Sequence, residues 1–87
     1  MIYLVEDDDN IRELVEYTLS STGWETRGFP LPSAFWTALQ AHKPSLILLD
    51  IMLPEQDGLS ILEKLKSQPD TRSIPVIMLT AKWTEID

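Results

Sequence analysis

Leu46-Ile47-Leu48-Leu49-Asp50-Ile51-Met52-Leu53-Pro54 is the stretch that decides the fold. Four consecutive apolar residues stop at a carboxylate, and turn chemistry follows in Leu53-Pro54-Glu55-Gln56-Asp57-Gly58. A short run that is apolar at every position predicts a strand buried on both faces, as in the centre of a parallel sheet. Working outward, Ile2-Tyr3-Leu4-Val5 repeats the pattern and ends in Glu6-Asp7-Asp8-Asp9. Ile74 to Leu79 repeats it again, with Pro75 near its start and Thr80 at its end. A weaker, more polar strand over Trp24 to Phe29 suits a sheet edge.

Helical patterns lie between these strands. Ile11, Leu14, Val15, Thr18 and Leu19 predict one buried helical stripe. Asn10 with Glu13 resembles a capping box, Asp9 is an alternative cap, and Gly23 suits the left-handed position after the helix. Ala34, Phe35, Ala38 and Leu39 form a second amphipathic face that ends near Pro44, and Ile61, Leu62 and Leu65 a third. Gln68 to Ser73 is a polar loop. The alternation βαβαβαβ with short connections implies an α/β fold, a parallel sheet with helices on both faces.

Composition limits the chemistry. Eighty-seven residues make one domain. There is no cysteine, which excludes disulfides, thiolate metal sites and cysteine nucleophiles. A net charge of −7, from 14 acidic against 7 basic residues, repels phosphate backbones, so no direct nucleic-acid binding by this segment is expected. The longest apolar run is too short to span a membrane, and the N-terminus lacks the pattern of a secretory signal, so the expected location is the cytoplasm with no membrane contact.

Three strands end in oxygen-bearing side chains: Glu6 and Asp7 after the first, Asp50 after the third and Thr80 after the fourth. In open parallel sheets, ligands bind beyond the carboxyl ends of the strands. Carboxylates converging on that rim repel one another unless a cation neutralises them, and an all-oxygen donor set favours Mg²⁺ or Mn²⁺ over zinc. A carboxylate beside such an ion can attack phosphorus, and a nearby hydroxyl such as that of Thr80 can donate to a phosphoryl oxygen. Singly, each residue has a plainer role: helix-start acids for Glu6 to Asp9, a turn for Asp50, a strand-end hydroxyl for Thr80. Asp57-Gly58 is read as turn and helix start without chemistry, His42 as a capping or surface residue, and Trp24, Trp36 and Trp83 as packing or partly exposed residues.

Val5 to Asp9, Leu46 to Pro54 with Asp57-Gly58, and Ile74 to Ala81 together resemble the receiver (CheY-like) domain of two-component response regulators. The resemblance implies a flavodoxin-like sheet of order 2-1-3-4. It implies Asp50 as phospho-acceptor, Asp7 as direct Mg²⁺ ligand, Glu6 as its neighbour acting through water, and the backbone carbonyl of Met52 as a further ligand. Thr80 resembles the switch hydroxyl, Ala81 the small residue beside it, and Leu53-Pro54 the loop that shapes the site. The implied function is that of a signalling domain, not an enzyme, taking phosphate from a sensor histidine kinase. The wording around Asp50 and Thr80 is most similar to transcription factors with a winged-helix output domain, the OmpR/PhoB type.

A complete member of the family continues with a fourth helix, a fifth strand carrying a site lysine, and a fifth helix. Residues 1–87 are therefore expected to be a single, incomplete receiver domain lacking that C-terminal portion, and Lys82 is not the missing lysine's equivalent. The unpaired edge of the fourth strand is then expected to promote self-association. A pseudo-receiver that binds partners without phosphorylation is the alternative. A phosphatase of the haloacid-dehalogenase type would place a second Asp where Met52 stands, and a flavin carrier would have a Ser/Thr-rich phosphate loop after the first strand.

Overall fold

In the computed structural model, which describes residues 1–79, strands β1 (Ile2–Val5), β2 (Thr26–Phe29), β3 (Leu46–Asp50) and β4 (Val76–Leu79) alternate with helices α1 (Asp9–Ser21), α2 (Pro32–Ala41) and α3 (Gly58–Ser67). All strand pairs are parallel, and the sheet order is β2-β1-β3-β4. The flavodoxin-like order implied by the resemblance is therefore the observed one, with β2 at an edge as its polarity suggested.

Continuous apolarity in β1 and β3 has the expected cause, since each strand feeds two cores. Tyr3, Val5, Ile47 and Leu49 join Phe29, Phe35, Leu39, Ile61 and Leu65 beneath α2 and α3. Ile2, Leu4 and Leu48 turn to the opposite face, where Val15 and Leu19 of α1 cover them. This alternation is the period of two of a strand, seen from both sides. Tyr3 is the one polar-tipped member of the larger core, and its hydroxyl donates to the carbonyl of His42 at 3.0 Å, just past the end of α2. The buried Thr71 hydroxyl likewise donates to Leu65 at the end of α3, 2.7 Å away.

Three expectations need correction. The α1 stripe is not buried: Leu14 is 64% exposed, Ile11 and Thr18 are also exposed, and only Val15 and Leu19 pack on the sheet. Among the described residues α1 is the only helix on its face. The N-cap of α1 is Asp8, whose carboxylate accepts from the Ile11 amide at 2.9 Å, rather than Asp9 or Asn10. Ala34 of α2 faces outward, and the buried position of that turn is Pro32. Gly23 does adopt the left-handed conformation after α1, at φ 94°.

Candidate metal and acceptor site

The strand register builds the site. Val5 pairs with Leu49, so Glu6 and Asp50 stand one step further along neighbouring strands, on the same rim. Asp7 follows Glu6 before α1 begins. One carboxylate oxygen from each of Glu6, Asp7 and Asp50 lies within 4.8 Å of the others. Glu6 and Asp50 are each only 3% exposed, whereas Asp7 is open to solvent.

Local bonds hold this geometry. The Glu6 amide donates to Phe29 at 3.0 Å, and the Glu6 carboxylate accepts from the Asp8 amide at 3.0 Å. Arg12 donates to the Glu6 carbonyl at 2.9 Å while pairing with Asp9, which fixes α1 against the rim. Behind Asp50, the Ile51 amide donates to Leu79 at 3.2 Å and its carbonyl accepts from Gly58 at 2.7 Å. Asp57 caps α3 by accepting from Ser60 at 2.9 Å.

Burial dominates the electrostatics. It pushes the Glu6 carboxyl up from 4.5 to about 7; the Asp8 amide opposes that rise, and the charges of Asp50 and Asp7 add to it. Burial also raises Asp50 from its ordinary value, against the backbone amides of Met52 and Ile51, with Asp7 again raising it. Among the described residues, Oδ1 of Asp50 is buried without a hydrogen-bond partner. A buried acceptor with no donor is costly, and a cation is one means of satisfying it. The hard oxygen set and the close approach of three carboxylates fit a small divalent ion such as Mg²⁺.

Glu6, Asp7 and Asp50 thus come together, as their strand-end positions suggested. Met52 follows in the loop, its side chain exposed. Thr80, Ala81, Lys82 and Trp83 lie outside the described residues. His42 caps the end of α2 with an exposed ring, away from the acids in the chain. One contributor was missed. At Gly58 a Cβ atom would collide with the backbone carbonyl of Asp50, so only glycine lets α3 start against the end of β3. Its signal was present as an Asp-Gly pair seven and eight residues after a strand-end acid, but turn chemistry explained it equally well.

Residues 2–87 match the family model of the response regulator receiver domain. The chain belongs to that family. It is 42% identical over 86 residues to the transcriptional regulatory protein GltR of Pseudomonas aeruginosa, covering 99% of this chain and 36% of that protein. The chain spans about a third of the length of the curated relatives it matches. Among solved structures, the receiver is similar to the N-terminal domain of a response regulator receiver protein from Methanoculleus marisnigri, with a TM-score of 0.87 and 40% identity over 93% of this chain and 66% of that one. It is similar also to the Mn²⁺-bound form of response regulator Rcp1, with a TM-score of 0.85 and 34% identity over 97% and 67%. The receiver is a two-component signalling domain, and no helix among its described residues is long and apolar enough to cross a membrane.

Proposed function

We propose that Asp50 accepts a phosphoryl group from the phosphohistidine of a sensor histidine kinase, in a reaction that requires Mg²⁺. The observation that carries this is the convergence of three strand-end carboxylates within 4.8 Å, one of them Asp50 with a buried, unpartnered Oδ1. Glu6, Asp7, Asp50 and the backbone carbonyl of Met52 would hold the ion, Glu6 through water. That the similar Rcp1 structure is a Mn²⁺-bound form supports a divalent cation as the ligand of such a receiver. When bound, Mg²⁺ supplies the positive charge that lets an anionic phosphoryl group approach an anionic pocket.

In this mechanism a carboxylate oxygen of Asp50 forms a bond to phosphorus as the bond from phosphorus to the donor imidazole nitrogen breaks. The freed imidazole keeps the electron pair of that bond. Asp7 stays at the solvent-facing side of the pocket, while buried Glu6 anchors the rim through the Asp8 amide. Thr80 donates to a phosphoryl oxygen, and that new contact biases the segment that follows Leu79. Residues 1–87 act as one receiver unit in this scheme. The signal passes to a DNA-binding output domain of the winged-helix, OmpR/PhoB type elsewhere in the protein, a proposal supported by the transcriptional regulator among its relatives. The setting is cytoplasmic, where such kinases present their phosphohistidine. Self-association is proposed through the edge of β4 that β3 leaves unpaired among the described residues, where Ile77 is half exposed.

Incubation with acetyl phosphate and Mg²⁺ tests the acceptor. Asp50→Asn abolishes labelling, and Asp57→Asn, altering a capping carboxylate, leaves it within about twofold of the parent. Labelling that survives Asp50→Asn, or a parent that never labels, favours the pseudo-receiver instead.

A further inference from the structure

Helix α2 begins without a cap of its own. Its N-cap residue is Leu31, which offers no side-chain acceptor to the first turn. The Ser33 amide donates instead to Oε1 of Glu55 at 3.0 Å, and the Ser33 hydroxyl to Oε2 at 3.3 Å. Glu55 belongs to the loop between β3 and α3, so the cap arrives from a different part of the chain and also places a negative charge at the positive end of the helix. The next residue makes a second tie: Trp36 donates its indole N–H to Oε1 of Gln56 at 2.9 Å. The Trp36 ring is itself held, against Phe35 at 5.2 Å and beneath the Lys64 ammonium at 4.9 Å.

Glu55 reaches α2 from an unfavourable backbone conformation. It is the only non-glycine with positive φ among the described residues, at 67°. Such a conformation persists where surrounding contacts hold it. Here they are the two bonds to Ser33, with the Gln56 amide bonded back to Pro54 at 2.6 Å. The same loop begins at Asp50 and carries Met52, and its other end is pinned where Gly58 donates to Ile51.

We infer that Glu55 and Gln56 are positioning residues that fasten the loop beside the acceptor to the first turns of α2, so that ion binding at the rim is transmitted to Trp36. The inference rests on the divalent-cation reading above. Neither residue touches the ion or the phosphoryl group. Their role is to hold Met52 in place and to join the site to a helix that contributes no acid to it.

Mg²⁺ titration of the full chain, followed by amide and indole N–H resonances, tests the coupling. Trp36→Phe assigns the indole signal. The Trp36 indole is expected to shift together with the Ile51 and Met52 amides, with one apparent Kd. Glu55→Gly relaxes the backbone but removes the cap; it should at least halve the indole shift and raise the apparent Kd roughly tenfold, the low end for outer-sphere partners of a metal. Glu55→Gln can still accept from the Ser33 amide, and should stay within about twofold of the parent. If the amides at 51 and 52 respond while the Trp36 indole stays still, or if Glu55→Gly behaves as the parent, the coupling is refuted. If no resonance near Asp50 responds at all, the cation reading falls first and takes the coupling with it.

Discussion

Among the described residues, the two faces of the sheet are covered to very different degrees. Beneath α2 and α3, Phe35, Ile61 and Leu65 lose all solvent contact and join Tyr3, Val5, Ile47 and Leu49. Aromatic edges meet there, with Tyr3 and Phe29 rings 5.1 Å apart and Phe29 and Phe35 rings 6.2 Å apart. On the other face Leu4 is fully buried beneath α1, but none of α1's own residues is, and Leu14, Tyr17 and Trp24 are exposed. Strands β1 and β3 serve both faces, so their positions are fixed by the closed side even where the open side contributes little. The acids at their ends inherit those positions. A site that needs three carboxylates held together is thereby built at the ends of well-buried strands, while α1 closes it through Asp8 and Arg12.

The largest expected effect comes from cutting into the closed face. Phe35→Ala should cost about 3–5 kcal/mol in urea unfolding, through lost burial and a residual cavity. Leu14→Ala on the open face should change stability by no more than about 0.5 kcal/mol. Equal costs would mean that the two faces do not differ as described. Gly58→Ala sits at the rim and should cost about 1–3 kcal/mol, because the collision with Asp50 must be relieved by backbone movement. It should also weaken Mg²⁺ binding, which a purely core substitution of similar cost would not do.

A smaller effect follows from protonation. Glu6 in the fold holds its proton up to about pH 7, against 4.5 ordinarily, and Asp50 is raised as well. Near pH 4 and below, Glu6 is protonated in both states, so its ionisation takes nothing from the fold. Between pH 4.5 and 7 the unfolded chain ionises Glu6 while the fold resists, and stability falls as pH rises. Thermal melting without divalent ions should therefore show Tm declining across that window by several degrees. Glu6→Gln should flatten the decline, and Mg²⁺ should oppose it by stabilising the ionised acids. A Tm that rises through the same window would reverse the assigned cause.

Much of this was legible in the residues themselves. Strand ends could be read because continuous apolar runs stop abruptly at Glu6 and Asp50, and parallel pairing then forces those ends onto one rim. Sheet order was not legible from periodicity, which carries no information about neighbours; it came with the family resemblance. The exposure of Ile11 and Leu14 among the described residues was hidden for a related reason, since an amphipathic pattern such as Ile11-Leu14-Thr18 records a preference for burial but not how much of the stripe meets the sheet. Gly58 was hidden because an Asp-Gly turn and a close backbone approach leave the same letters. The Glu55 cap on α2 joins residues 22 positions apart and follows no local rule, so only the fold reveals it.

Locating the modified residue bears most directly on the acceptor. After treatment with acetyl phosphate and Mg²⁺, borohydride reduction of the acyl phosphate and peptide mapping should place the modification at Asp50 alone, and omission of Mg²⁺ should remove it. Modification at Asp7, Glu6 or His42 in place of Asp50, or labelling indifferent to Mg²⁺, would contradict the account.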